Sequence, residues 1–410
     1  MAAGLALLVL ALALWPMQAA TAGSTEAGHV RVLGRLLQQA LEANPSVQAA
    51  RARVEAALAR HDAADQPLYN PELEVDAERG DVNSGYVGVQ QAIDWADKRG
   101  ARTRVAEGEL EASRHALADR RRQVAGELLS ALAELQTATA LKALAARRTA
   151  LMKRFVALAE KRRRAGDLSL SELELARLAY TQARLNEADA AASEIEARQA
   201  LAAVAGTDRV DWPALPEALP EVSIPDLDAV LTRLPAIRAQ QARVRAAMAE
   251  VERRTRERRP DPSLGLRGGR DGDAALIGLN LSIPLFVRNT FKAEVDVANA
   301  ERLAAERELQ ARMRRARAEL VSALKRYRLA REAWALWVEG GVPSLDKQVQ
   351  LLDRVWRAGE IGTTEYLVQV DQTLATRADA LAARGRLWRS WFDWLRASDG
   401  FADWFGWEKQ

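Results

Sequence analysis

Four carboxylates stand at every second position of one short segment, Glu72, Glu74, Asp76 and Glu78, with Leu73, Val75 and Ala77 between them. Such alternation marks a half-buried β-strand, because successive side chains point to opposite faces. The segment therefore carries one acidic face and one apolar face. Carboxylates ranked along a water-filled passage attract cations without coordinating a particular ion. Nothing else in the sequence offers sharper chemistry. The absence of cysteine removes disulfides, thiolate metal sites and a cysteine nucleophile. His29, His61 and His115 are scattered and supply no ligand pair, so no soft-metal site is expected. No G-x-S-x-G, Walker-type loop or H-E-x-x-H occurs. These residues point to a protein with no catalytic site and no cofactor.

The acidic strand belongs to a unit written twice. Pro45 and Pro235 are 190 residues apart, as are Val54 and Val244, and Gly88 pairs with Gly278. Arg164-Ala165-Gly166 returns as Arg357-Ala358-Gly359. Each copy reads as helix, two strands, long helix, turn, helix. In copy one a first helix is expected over about 30–64, with strands over 72–79 and 86–93. From 97 to 164 there is no proline, and an apolar stripe from Leu117 through Val124, Leu128, Leu132 and Leu151 to Phe155 and Leu158 is spaced by threes, fours or their sums. A helix of that span is roughly 100 Å long, which suits a coiled-coil bundle or a tube. Ser169 and Glu172 read as a capping box. In copy two, Ala275 to Leu285 alternates, with Ile277, Leu279 and Leu281 opposing Gly278, Asn280 and Ser282, and with Leu276 as the exception.

Composition agrees with this layout. Charged residues make up 28% of the 410 and nearly cancel, at +3, interleaved along helices and not gathered as a nucleic-acid footprint. Ala2 to Trp15 is apolar, Pro16 follows, and Ala20-Thr21-Ala22 fits a small-x-small cleavage site. An export signal over 1–22 is expected, although no lysine or arginine precedes the run; a buried helix or an anchor is the alternative. The first copy is placed at 23–211, a proline-rich linker at 212–225, the second copy at 226–397 and an aromatic tail at 398–410. Asp226 is an expected N-cap. Trp388, Trp391, Trp394 and Leu395 share helical spacing and read as a packing stripe.

A strand with one apolar and one wet face suits the wall of a membrane barrel, and 9–11 residues suffice to span. Four strands cannot close, and open edges in lipid leave backbone groups unsatisfied. Membrane insertion therefore requires further chains. The alternative is a small sheet capping a soluble helical rod.

The element order resembles the TolC-like outer-membrane efflux proteins, as does Asn70-Pro71-Glu72-Leu73 at the first strand. Gln91-Ala92-Ile93-Asp94-Trp95-Ala96-Asp97-Lys98-Arg99 is similar to the strand-to-helix junction of the heavy-metal, CzcC-like branch, and Ser282-Ile283-Pro284-Leu285-Phe286-Val287-Arg288-Asn289 to its second-copy counterpart. The resemblance implies a mainly α fold with β, in which tandem-repeat helical hairpins form an α-helical barrel. Four membrane strands per chain would contribute to a trimeric twelve-stranded β-barrel. It implies a homotrimer in outer-membrane lipid, joined by a periplasmic membrane-fusion adaptor and an inner-membrane RND pump, acting as a passive conduit with heavy-metal cations as expected cargo. A soluble periplasmic coiled-coil spacer is the alternative. The hairpin turns would be adaptor-docking tips, at Arg164, Gly166 and Leu168 and at Arg357, Gly359 and Ile361. Glu365 and Asp371 would be entrance acids, and Glu72, Glu74, Asp76 and Glu78 lumen acids partly offset by Arg267.

Overall fold

The computed structural model describes residues 19–79, 83–207, 211–216, 220–222, 226–358 and 360–407; the apolar run of the expected export signal lies outside them. Copy one comprises α1 (Ala19–Ala43), α2 (Pro45–Asp65), β1 (Glu72–Glu78), β2 (Ser84–Ala92), α3 (Lys98–Ala165) and α4 (Leu170–Ala205). Copy two comprises α5 (Leu227–Arg233), α6 (Pro235–Glu257), β3 (Ser263–Asp271), β4 (Ala274–Ser282), α7 (Lys292–Leu336), α8 (Val342–Arg357) and α9 (Thr363–Ser398). A short α10 (Phe401–Phe405) closes the chain.

The first helix expected in copy one is two helices, and the reason is Pro45. Proline has no N–H to continue a helix from the preceding turn, but it suits the first turn of a new one. Asn44 accordingly adopts extended backbone, and its side chain accepts from the amides of Ser46 and Val47. The same break recurs in copy two, before Pro235. Asp226 caps α5 as expected, accepting from the Asp228 and Ala229 amides. β4 stops at Ser282, three residues short of the expected end, because Pro284 cannot donate to a ladder.

The long helices differ between copies. α3 runs unbroken for 68 residues. Its counterpart passes from α7 through a π-helical turn, Trp337–Gly341, into α8. Gly340, Gly341 and Pro343 are the weakest helix formers available, and they sit together here.

The helices pack side by side, α2 on α3, α3 on α6 and α6 on α7, with α4 and α9 also on α3. Gly108 permits the α3–α6 approach: a Cβ there would lie 2.9 Å from the backbone of Ala246. One apolar core gathers Leu33 and Leu37, Leu128 and Leu132, and Trp388 and Phe392. The aromatic stripe of α9 is thus interior packing, as its spacing suggested. A second core lies at the hairpin turns.

Candidate duct wall and docking tips

The four strands form one antiparallel sheet in the order β1-β2-β3-β4, leaving β1 and β4 as open edges. Register fixes the faces. Leu73, Val89, Leu266 and Leu279 form one cross-strand row, and Val75, Val87, Gly268 and Ile277 the next. This face is uncovered: Ile277 is 85% exposed and Leu279 79%. On the opposite face run Glu72, Gln90, Gly265 and Asn280, then Glu74, Gly88, Arg267 and Gly278. Glu72, Glu74, Asp76 and Glu78 therefore share the polar face, with Arg267 two strands away.

Large side chains on that polar face lie over glycines. Asn280 donates to Gln90 across Gly265, at 3.4 Å. The Arg267 guanidinium stands 5.4 Å from the centre of the Tyr86 ring. A Cβ on Gly88 would meet the Arg267 Cβ at 2.9 Å, and one on Gly269 would meet the Tyr86 ring at 2.8 Å. Side chains converge on the inside of a curved sheet, so crowding here fits a sheet curling toward its polar face.

A buried polar joint fastens strands to helices. Asp261, 7% exposed, accepts from the Tyr69 hydroxyl at 2.5 Å and pairs with Lys98 Nζ at 2.9 Å. Burial, with the Asp261 carboxylate, pushes the Tyr69 hydroxyl up to about 12. Trp95 Nε1 donates to the Pro260 carbonyl at 2.6 Å. Arg102 donates to the carbonyls of Ala63, Ala64 and Gln66 at the end of α2. The joint ties copy one to copy two, and sequence reading missed it because its members are some 160–190 residues apart.

Below the sheet, α2, α3, α6 and α7 each turn one face toward a common concavity of about 1140 Å³. A second one of about 700 Å³ continues it toward the sheet, sharing Arg60, Glu109 and Arg243 with the first.

At the far end the two hairpin turns meet. Gly166 ends α3 with φ +89°, a conformation glycine adopts without strain, and Asp167 N donates back to Arg162 O at 2.9 Å. The matching bond in copy two runs from Glu360 N to Val355 O at 3.1 Å. Gly359 and the side chain of Arg357 lie outside the described residues. Arg164 is exposed, whereas Arg162 lies over Trp356 and Arg163 donates to Leu168 O. Leu168 does not project as a docking residue: it is 7% exposed in the tip core, and Ile361 packs against the same core. That core is built on Phe155, Trp356 and Tyr366, whose ring centres lie 4.6–5.3 Å apart. Phe155 falls on the helical stripe of α3, but no local pattern ties it to Trp356 or Tyr366.

The acids divide. Asp371 pairs with Arg148 at 2.9 Å, so it braces α9 against α3. Glu172 completes the expected capping box: it accepts from Ser169 N and Oγ, and Ser169 Oγ accepts from Glu172 N. The Ser169 hydroxyl and amide hold its carboxyl below the usual range. Glu365 occupies the same place in copy two, but its N-cap is Gly362, which has no side chain. Glu365 is exposed and accepts only from Gln369, at 3.0 Å, among the described residues.

No group of metal-ligating side chains and no helix long and apolar enough to cross a membrane occurs among the described residues. An open sheet with one bare apolar face, mounted on helices of this length, suits the wall of a membrane duct. The family model for outer membrane efflux proteins matches residues 36–207 and 227–393, and the chain belongs to that family. Its members are passive outer-membrane channels, not enzymes. The cobalt-zinc-cadmium resistance protein CzcC of Cupriavidus metallidurans is 29% identical over 232 residues, 54% of this chain and 55% of that protein, so the match spans about half the length of each. Among solved structures, the outer-membrane channel OprN aligns with a TM-score of 0.76 at 20% identity, over 90% of both chains. CusC aligns at 0.73 and 17%, over 91% and 92%. The fold is that of the TolC-like channels.

Proposed function

We propose that three copies join β4 to β1 around a closed twelve-stranded barrel in the outer membrane, continued by an α-helical duct into the periplasm. In this reading the chain is the outer-membrane component of a tripartite RND-type efflux system. The observation that carries it is the sheet, with open edges on both flanks and a continuous bare apolar face. Water covers such a face poorly and lipid covers it well, while only closure satisfies the edges. Heavy-metal cations are the proposed cargo, supported by the likeness to a cobalt-zinc-cadmium resistance protein and by the acids of the polar face.

The hairpin turns are proposed as docking tips for the periplasmic adaptor that links channel to pump. Arg164 supports this, being exposed beside two arginines engaged internally. Glu365 is the proposed entrance acid, because no cap occupies it.

Mature protein should sediment with outer membrane, require detergent and run as a trimer. A soluble, monodisperse monomer with its helices intact would overturn the conduit reading in favour of a periplasmic spacer. For the tips, Arg164→Ala combined with Arg357→Ala should leave trimer level unchanged while efflux resistance and adaptor cross-linking fall. Normal resistance and normal cross-linking at equal trimer level would reduce the tips to ordinary turns.

A further inference from the structure

The larger concavity is basic. Arg53, Arg60, Arg120, Arg243, Arg312 and Arg315 face it, against Glu109, Asp119 and Glu308. Two of those acids have other partners: Arg122 binds Asp119 at 2.5 Å, and Glu308 accepts from Gln240 at 3.1 Å. Arg120 donates to Ser46 Oγ and lies 3.6 Å from Glu127. Arg312 reaches Asp119 only at 4.0 Å. Arg53, Arg60 and Arg315 make no ion pair with any described residue, and Arg243 donates to Gln240 alone.

This cluster is not the by-product of a basic chain, whose net charge is only +3. Nor are the arginines of these helices uniformly unpaired. Along another face of the α3–α6 contact, Arg104 pairs with Glu252, Arg245 with Glu111 and Arg256 with Asp97. Arg53 and Arg60 are seven residues apart, two turns on one helix face, and Arg315 comes from α7 on the other side of the concavity. The wall between them is largely alanine, including Ala49, Ala112 and Ala239. Short walls leave the guanidinium groups standing in water, free to receive a ligand.

We propose that this concavity is an anion-binding belt inside the helical duct, and that it takes small multivalent anions. The proposal rests on the conduit reading, in which three copies bring three belts around one axis. Planar guanidinium forks suit oxyanions and other multivalent anions, and a field from several unpaired arginines is felt over about 8 Å at physiological salt. The duct then has two zones in series, acidic along the strands and basic between the helices. Cationic cargo crosses the belt accompanied by anions, and cargo carried as an anionic complex is concentrated there.

The test uses full-length trimers in planar bilayers with hexacyanoferrate(II) as the probe. Wild-type current should be blocked by the probe. The triple variant Arg53→Gln/Arg60→Gln/Arg315→Gln should need about tenfold more of it, and its reversal potential in a KCl gradient should move toward potassium selectivity. A control, Arg104→Gln/Arg245→Gln/Arg256→Gln, removes the same charge from the paired face and should leave the block unchanged. Equal effects of the two triples, or an unchanged block in the first, would overturn the belt and leave the conduit standing. If wild-type trimers carried no current, the conduit reading would fail and the belt with it. Should the first triple not assemble, Arg60→Gln and Arg315→Gln are each expected to weaken block about twofold, and no shift in either would count against the belt.

Discussion

In the sheet the two copies obey one rule, while at the hairpins they diverge. β1–β2 and β3–β4 share the same pairing, the same face assignment and a polar side kept clear by glycine. Along its hairpin, copy one has an unbroken α3 and a reciprocal cap. Copy two has a π-helical turn, a glycine N-cap without a side-chain bond, and a carboxylate left over. The difference is one of constraint. A strand in lipid has no freedom in register or facing, because a slip by one residue would turn its apolar set toward water. A hairpin in water can lose a cap or gain a bulge at a cost of about 1 kcal/mol, so the two turns were free to specialise.

The largest expected effect falls where the two hairpins still depend on each other. Trp356→Ala empties the centre of the tip core and should cost about 3–5 kcal/mol, read as an earlier denaturant transition. Loss of under 1 kcal/mol would show that the tips fold independently. Next comes the sheet. Leu279→Arg puts a charge on the bare face and should cost about 2–4 kcal/mol at the bilayer midplane, seen as loss of trimer from the outer membrane. Asn280→Arg, one residue along on the other face, should leave trimer yield near normal, and equal damage would break the facing assignment.

Smaller changes sharpen the contrast between tips. Ser169→Ala should cost about 1 kcal/mol by removing the copy-one cap, whereas Gly362→Ser should gain a few tenths by giving Glu365 a partner. Hydrogen exchange of the first turns of α4 and α9 measures both, and no gain at α9 would mean that Glu365 is already committed. The smallest effect is with pH. The Glu172 carboxyl is held low by Ser169, so the stability it contributes is complete above the ordinary carboxylate range. It is lost as pH falls through its lowered folded value. Protection of the α4 start should therefore decline on acidification, and Ser169→Ala should flatten that dependence.

Sequence alone determined the repeat, the strand pairs and their facing, the length of α3 and the capping box. All are periodic or local: side chains alternate by two in a strand, recur by 3.6 in a helix, and cap within three residues. It was silent where distant segments meet. Tyr69, Lys98 and Asp261 carry no mutual signal, nor do Phe155, Trp356 and Tyr366. The sequence placed Leu168 beside Arg164 in one docking motif, and only packing decided that one points inward and the other out. It likewise offered Glu365 and Asp371 as a pair, and only the approach of α3 brought Arg148 to Asp371. The arginine belt is the clearest case. Arg53, Arg60, Arg243 and Arg315 look like any solvated charge in a long helix. They become one site because α2, α6 and α7 turn the same face to one concavity, a property of how helices pack and not of any segment by itself.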